Sequence, residues 1–146
     1  MPRNWNCEPP GNFDVHQFFG AVIRQDAEQL RKFFEPDALI VWANTNEQFT
    51  VDEYIRANCE YPGTWSGKIE TLDIIDGYER RIVVVSKVWN AGGDASRAVS
   101  FIKFGDTEDG LIQLLAEYWS EIGTPPEWRR EMGIGTIHVQ AEGAAK

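Results

Sequence analysis

One glutamate, Glu117, lies in a segment from Leu111 to Trp119 that is apolar on both faces of a predicted β-strand. Because side chains alternate between the two faces of a strand, Glu117 shares one face with Leu115 and Trp119. An ionised carboxylate there is unfavourable unless it reaches water, a hydrogen-bond donor or a ligand, or protonates. The sequence therefore predicts that Glu117 faces a pocket with a pKa above the ~4.3 of a free glutamate, which suits a general acid or base. The alternative is a structural glutamate bonded to a hydroxyl or a backbone amide.

Two other polar side chains are candidates for the same pocket. Asn44 follows the first predicted strand, and its amide could orient a carbonyl or a hydroxyl, although Asn is also an ordinary turn residue. Tyr54, on a predicted helix, could supply a phenol as a hydrogen-bond donor, and Tyr61 and Trp65 beyond it could line the same cavity. Aromatic residues at helical spacing also fill cores. Glu117, Asn44 and Tyr54 are the predicted catalytic residues.

Six tryptophans are many for a chain of 146 residues. Their flat rings line pockets for apolar or aromatic ligands, but they also fill small cores efficiently. No group of His, Cys and carboxylate residues has metal-ligand spacing, and no glycine-rich loop resembles a phosphate-binding loop. We therefore predict a small-molecule pocket that uses neither a metal nor a cofactor.

Charge and length restrict the partners. The chain fits one domain, and its formal charge of −9, with scattered basic residues, argues against nucleic acid and anionic membranes. The sequence contains no apolar run of ~20 residues, and Met1 to Gly11 lacks a secretory signal, which predicts a cytoplasmic protein. Cys7 and Cys59 are predicted to be reduced thiols.

The order of predicted elements is ααβαββββ. Asp14 caps a first helix, which runs to about Arg24. A second helix runs from Asp26 through Phe34 and is ended by Pro36. A capping box at Thr50 starts a third helix, which ends near Cys59. The predicted strands are Ala38 to Ala43, Lys68 to Asp76, Glu79 to Asn90, Ala95 to Phe104 and Leu111 to Ser120, with turn signals at Asp76-Gly77, Gly92-Gly93-Asp94 and Asp109-Gly110. This order predicts an α+β fold, with a mostly antiparallel sheet that carries three helices on one face.

We divide the chain into an N-terminal extension (1–13), a single domain (14–132) and a C-terminal tail (133–146). Within the domain, Trp128 follows a rigid Pro-Pro segment and is expected to fold back as an anchor. Thr136 to Val139 could add a short edge strand, but a loose terminus is favoured.

Two local strings in this order of elements resemble the nuclear transport factor 2-like superfamily. The first is Phe33 to Ala38, at a helix-to-strand corner, and the second is Glu117 to Glu121, at the end of the last strand. The resemblance spans about residues 14–121. It implies a cone-shaped fold in which a curved sheet and helices enclose a deep pocket, as in the SnoaL-like polyketide cyclases, ketosteroid isomerases, scytalone dehydratase and limonene epoxide hydrolase. Activity varies widely across this superfamily, so the fold names no reaction.

The ketosteroid isomerases use a phenol donor, a base carboxylate and a second acid, which by this resemblance fall at Phe18, Trp42 and Ser100. None of these side chains titrates near neutrality, so steroid isomerisation by that route is disfavoured. The same register implies that several side chains point inward. Together with Trp65, these give the predicted ligand-binding residues: Phe18, Trp42, Ser100, Leu115 and Trp119.

The sequence thus predicts a SnoaL-like protein that holds a small apolar or aromatic molecule and performs isomerase, cyclase or hydro-lyase chemistry without a cofactor. Binding without turnover and protein association are the alternatives. An apolar set on the opposite sheet face further predicts a homodimer through that face. This outer set comprises Ile112, Leu114, Ala116, Tyr118, Val99 and Phe101.

Overall fold

A computed structural model describes residues 13–75, 81–106 and 109–138. The helices are α1 (Val15–Arg24), α2 (Ala27–Arg31), α3 (Val51–Cys59) and α4 (Glu127–Glu131), and a 3-10 turn spans Ala43–Thr45. The strands are β1 (Phe34–Trp42), β2 (Glu47–Phe49), β3 (Trp65–Ile75), β4 (Arg81–Asn90), β5 (Ala95–Phe104) and β6 (Ile112–Glu121). Some of the predicted features lie outside the described residues, namely the N-terminal extension up to residue 12, Cys7, the turn at Asp76-Gly77 and Val139. No helix in the described ranges is long and apolar enough to cross a membrane.

The six strands form one curved, unclosed sheet in the order β2-β1-β6-β5-β4-β3. β1 runs parallel to β6, and every other neighbouring pair is antiparallel. On the inner face, α1 packs on β3 and α3 packs on β1, while α2 contacts both α1 and α3. The predicted α+β class, with a mostly antiparallel sheet under three helices, is confirmed.

Both predicted helix caps are present. The Asp14 carboxylate accepts hydrogen bonds from the backbone N–H groups of His16 (2.9 Å) and Gln17 (3.1 Å) at the start of α1. At the start of α3, the Thr50 hydroxyl accepts from the Glu53 N–H (3.2 Å), and the Glu53 carboxylate accepts from the Thr50 N–H (2.9 Å). These bonds satisfy donors that have no partner within a helix, which explains why each helix begins where the sequence indicated.

The corner between α2 and β1 differs from the prediction. α2 ends at Arg31, and β1 already begins at Phe34, so Pro36 lies inside the strand instead of ending the helix. The pairing of β1 with β6 shifts register between Phe34 and Leu39, and this irregular stretch accommodates a residue that has no N–H to donate.

The assignment of Ile112 to the outer face was wrong, because this residue is fully buried. Ile112 pairs with Phe104, whereas Leu114 pairs with the adjacent Lys103, so β6 contains one extra residue at this point. An extra residue reverses the alternation of side chains on one side of the irregularity. Leu115 and Glu117 beyond it point inward as predicted.

Trp128 is not the expected anchor. It lies on the short helix α4 with 56 % of its surface exposed, and its ring contacts the guanidinium of Arg129 at 5.5 Å. The segment 134–138 contains neither helix nor strand.

Close packing of α1 on β3 depends on Gly67. A Cβ atom at this position would lie 2.8 Å from Ile23 Cδ1 and Phe19 Cζ and 3.0 Å from the Lys87 carbonyl oxygen. The missing side chain lets α1 approach the sheet, and Ile23, one of the residues in this close contact, also lines the cleft described below.

Candidate functional site

Glu117 is held by side chains from both neighbouring strands. It lies on the inner face of β6 with 8 % exposure, opposite Ser100 on β5 and Trp42 on β1. The Ser100 hydroxyl donates to Oε2 at 2.7 Å, and the Trp42 indole N–H donates to Oε1 at 3.1 Å. Each carboxylate oxygen therefore has a hydrogen-bond donor. Both donors, a hydroxyl group and an indole N–H, are uncharged.

Burial raises the pKa of Glu117 above its ordinary value, because the ionised form loses its hydration. Hydrogen bonds from Ser100 and Trp42, together with a contact of the Trp119 indole, offset part of this effect. The direction agrees with the prediction from the sequence. A raised pKa moves a carboxyl group toward the range in which it can act as an acid or base near neutral pH.

Tyr54 lies in the core beside Glu117. It is almost fully buried, and its ring packs edge-on against Phe34 (5.6 Å between centroids) and Trp42 (6.2 Å). Burial raises the pKa of the Tyr54 phenol well above its ordinary value, and the negative charge of Glu117 raises it further. Tyr54 is therefore a neutral phenol at physiological pH.

Asn44 binds the backbone of β6 with both ends of its amide. Its Nδ2 donates to the Trp119 carbonyl oxygen at 3.0 Å, and its Oδ1 accepts from the Trp119 N–H at 3.1 Å. This reciprocal pair continues the hydrogen bonding of the strand beyond β1 and fixes the backbone position of Trp119. Asn44 lies in the 3-10 turn that directly follows β1, and this turn brings its side chain to β6.

A cleft of about 440 Å³ opens where the C-terminal ends of α1, α3, β1 and β6 meet. Four aromatic side chains form much of its wall: Trp42, Tyr61, Trp65 and Trp119. The rings of Tyr61 and Trp65 pack edge-on at 5.8 Å, and the Trp65 indole N–H donates to the Pro62 carbonyl oxygen at 3.0 Å. The other lining residues are Val22, Ile23, Gln25, Asn44, Thr45, Ala57, Asn58, Val88, Ser96, Ser120 and Glu121.

The predicted site residues fall into three groups. Trp42, Trp65, Trp119 and Asn44 line the cleft. Glu117, Ser100 and Tyr54 do not line it, and Trp42, which contacts Glu117 and Tyr54, connects them to the cleft. Phe18 and Leu115 lie in the buried core, with the Phe18 ring packed against three other phenylalanines.

Several polar lining residues were not predicted, among them Gln25, Asn58 and Glu121. Gln25 ends α1 in the left-handed conformation (φ 56°), and its Nε2 donates to the carbonyl oxygens of Asn58 (2.9 Å) and Tyr61 (2.7 Å). Asn58 Nδ2 donates in turn to the Val22 carbonyl oxygen at 3.1 Å. No pattern in the sequence indicates these three hydrogen bonds. Glu121 could have been found, because it continues the alternation of Glu117 and Trp119 to the end of β6.

Within the described ranges, no group of three or more His, Cys, Asp and Glu side chains could hold a metal ion. The thiol of Cys59, near the end of α3, forms no disulfide.

No family model and no curated protein sequence matches the chain. Solved structures do resemble it. A candidate ketosteroid isomerase from Kribbella flavida is 24 % identical, covers 88 % of each chain and has a TM-score of 0.66. An NTF-2 like protein of unknown function from Burkholderia xenovorans is 15 % identical, with a TM-score of 0.65, over 85 % of this chain and 92 % of that chain.

An LEH-like epoxide hydrolase from M. tuberculosis is 14 % identical over 73 % of this chain and 79 % of that chain, with a TM-score of 0.55. At such identities the likeness shows the fold alone. The chain has the cone-shaped nuclear transport factor 2-like fold, as the resemblance of its two local strings implied.

Proposed function

We propose that the protein binds a small apolar or aromatic molecule in the cleft lined by Trp42, Tyr61, Trp65 and Trp119. The observation that carries the proposal is the convergence of four aromatic rings, from three separate parts of the chain, on one cleft of about 440 Å³. Pockets for small molecules have volumes of roughly 300–1,000 Å³ and are lined mainly by apolar and aromatic side chains.

Two contacts support a binding role by fixing the walls of the cleft before a ligand arrives. Glu117 accepts the Trp42 indole N–H, and the Asn44 amide bonds to both the N–H and the carbonyl oxygen of Trp119. Rings held in this way lose little conformational entropy on binding, which favours affinity. In this proposal Glu117 and Asn44 are positioning residues.

The test uses N-phenylnaphthylamine, a neutral aromatic probe whose fluorescence rises in apolar surroundings. Trp65→Ala should weaken its binding about tenfold, which corresponds to ~1.4 kcal/mol, because a cleft ring is lost. Trp128→Ala is the matched control, since this tryptophan is exposed on α4 and does not line the cleft. Equal losses in the two variants, or no saturable binding to the wild type, would contradict the proposal.

A second candidate is acid–base catalysis by Glu117 in an isomerase, cyclase or hydro-lyase reaction without a cofactor. The raised pKa of Glu117 and the neutral phenol of Tyr54 beside it favour this role. A substrate would have to pass the indole rings of Trp42 and Trp119 to reach the carboxyl group, because both rings contact Glu117 and line the cleft, whereas Glu117 does not line it. The ketosteroid isomerase route stays disfavoured, since Phe18, Trp42 and Ser100 cannot supply its acids and base.

Catalysis by Glu117 is tested by screening these reaction types with the wild type and Glu117→Gln side by side. Glutamine can accept from Trp42 through its carbonyl and donate to the Ser100 oxygen through its amide, so the fold should persist. Turnover that disappears in the variant while probe binding stays would support catalysis. Turnover of equal rate in both proteins would reject it.

The outer face of the sheet supports a further proposal, a homodimer. Phe101 and Tyr118 lie exposed side by side there, with ring centroids 5.9 Å apart, and Leu39 on β1 is also exposed. Apolar surface of this kind is often covered by a second copy of a chain. Leu114→Asp should shift sedimentation from dimer to monomer, whereas Met132→Asp, on an exposed residue after α4, should not. A monomeric wild type at micromolar concentration would reject the dimer.

The cytoplasmic location stays a prediction.

A further inference from the structure

We propose that the cleft selects an organic cation, namely a molecule with an aromatic or apolar body and a protonated amine or quaternary ammonium group. The inference rests on the proposed binding function and concerns which charge the cleft accepts. It is based on which hydrogen-bond donors and acceptors of the cleft lining have no partner within the described part of the protein.

The nitrogen donors of the wall are largely committed to acceptors inside the protein. Gln25 Nε2 donates to two backbone carbonyl oxygens, and Asn58 and Asn44 each donate to one. The indole N–H groups of Trp42 and Trp65 donate to Glu117 and to the Pro62 carbonyl oxygen. The remaining side-chain donors include hydroxyl groups, which can also accept. Apart from these hydroxyl groups, the wall therefore has few donors left with which to hold an anion.

Several acceptors of the wall remain free, although Asn44 Oδ1 is occupied by the Trp119 N–H. Backbone carbonyl oxygens can only accept, so they fix which end of the Gln25 and Asn58 amides carries nitrogen. The amide oxygens of both side chains accept no hydrogen bond from the part of the chain that the structure describes. Glu121, at the end of β6, lines the cleft as a carboxylate and forms no ion pair with a described residue.

The charged residues of the cleft lining also favour a cation. Among the described residues that line the cleft, none is Lys, Arg or His, and Glu121 is the charged one. The faces of the four aromatic rings carry negative electrostatic potential and attract cations, an effect that a nearby carboxylate reinforces. The formal charge of the whole chain is −9, which further disfavours an anionic ligand.

The experiment compares three probes with the same ring system and different charges: naphthylmethylammonium, naphthylmethanol and naphthoate. Each displaces N-phenylnaphthylamine from the wild-type protein in a fluorescence titration. The cation should bind about tenfold more tightly than the neutral alcohol, and the anion should bind more weakly than either. The advantage of the cation should shrink as salt is added, because part of it comes from a charge at the rim.

Glu121→Gln should remove most of the advantage that the cation has over the neutral alcohol. Glu131→Gln is the matched control, because it removes the same charge from exposed helix α4, away from the cleft. Equal affinity for the three probes, or equal effects of the two variants, would overturn the cation inference and leave the binding proposal standing. Failure of all probes, including N-phenylnaphthylamine, would overturn both.

Discussion

Ser100→Ala isolates the support that one hydroxyl gives to Glu117. The Ser100 hydroxyl donates to Glu117 Oε2 at 2.7 Å, and Ser100 is 5 % exposed, so the substitution removes a buried donor without adding volume. A hydrogen bond to a charged group contributes about 1.5–3 kcal/mol, and one between neutral groups contributes about 0.5–1.5 kcal/mol. Where Glu117 is ionised, the variant should lose about 1.5–3 kcal/mol of unfolding free energy.

The loss should depend on pH in a defined direction. Because the folded pKa of Glu117 is raised, ionising it costs stability, and this cost accumulates as pH rises from the unfolded pKa of ~4.3 toward the folded pKa. Removing the Ser100 donor raises the folded pKa further. The difference in unfolding free energy between wild type and Ser100→Ala should therefore be small in acid, where Glu117 is protonated in both proteins. It should grow as pH rises toward neutrality.

Urea unfolding at a series of pH values measures this difference. Ser86→Ala is the matched control, because Ser86 is equally buried, at 4 % exposure, on the neighbouring strand β4, and is not a hydrogen-bond partner of Glu117. Its effect should not follow the titration of Glu117. A loss in Ser100→Ala that is independent of pH and equal to that of the control would refute the reasoning.

Three other changes test the same physical picture. Glu117→Gln should raise the free energy of unfolding at neutral pH and leave no gain below the unfolded pKa, because the neutral amide avoids the cost of burying a charge; a loss at neutral pH would contradict this. Gly67→Ala should cost about 1–3 kcal/mol in urea unfolding, because the new methyl group would press on α1 and a backbone oxygen. Glu70→Gln should lower stability by up to about 1 kcal/mol at neutral pH, since the Arg97 guanidinium lowers the pKa of Glu70. This loss of stability should vanish as pH falls through the folded pKa of Glu70, because the protonated wild-type side chain is then uncharged, like the glutamine of the variant.

Local signals in the sequence located most elements because the physics behind them is local. The capping residues Asp14 and Thr50 bond to N–H groups two or three residues away, and β5 begins and ends where its alternating pattern does. The errors arose where pairing between strands alters a local pattern. Ile112 reverses its face because of an irregularity shared with β5, and Pro36 is accepted because the β1–β6 pairing is interrupted beside it.

The environment of Glu117 was predictable only in part for the same reason. Its bond with Ser100 joins strands that follow one another in the chain, 17 residues apart. Its bond with Trp42 spans 75 residues and requires the parallel pairing of β1 with β6, which local patterns do not specify. The sequence could therefore indicate that Glu117 points inward, but it could not place an indole between this residue and the cleft.

The position of Trp42 determines what the free groups of the cleft can do. Its N–H donates to Glu117, so this buried carboxylate receives its hydrogen bonds from the protein. Glu121 lies on the same face of β6, two residues beyond Trp119, and lines the cleft. One strand thus presents two carboxylates in different roles. Glu117, away from the cleft wall, orients a ring of the wall, and its charge is offset by donors that belong to the fold. Glu121 has no such donors among the described residues, and its charge is left for a ligand. A cation preference that depends on Glu121 and not on Glu117 is the functional consequence of this division.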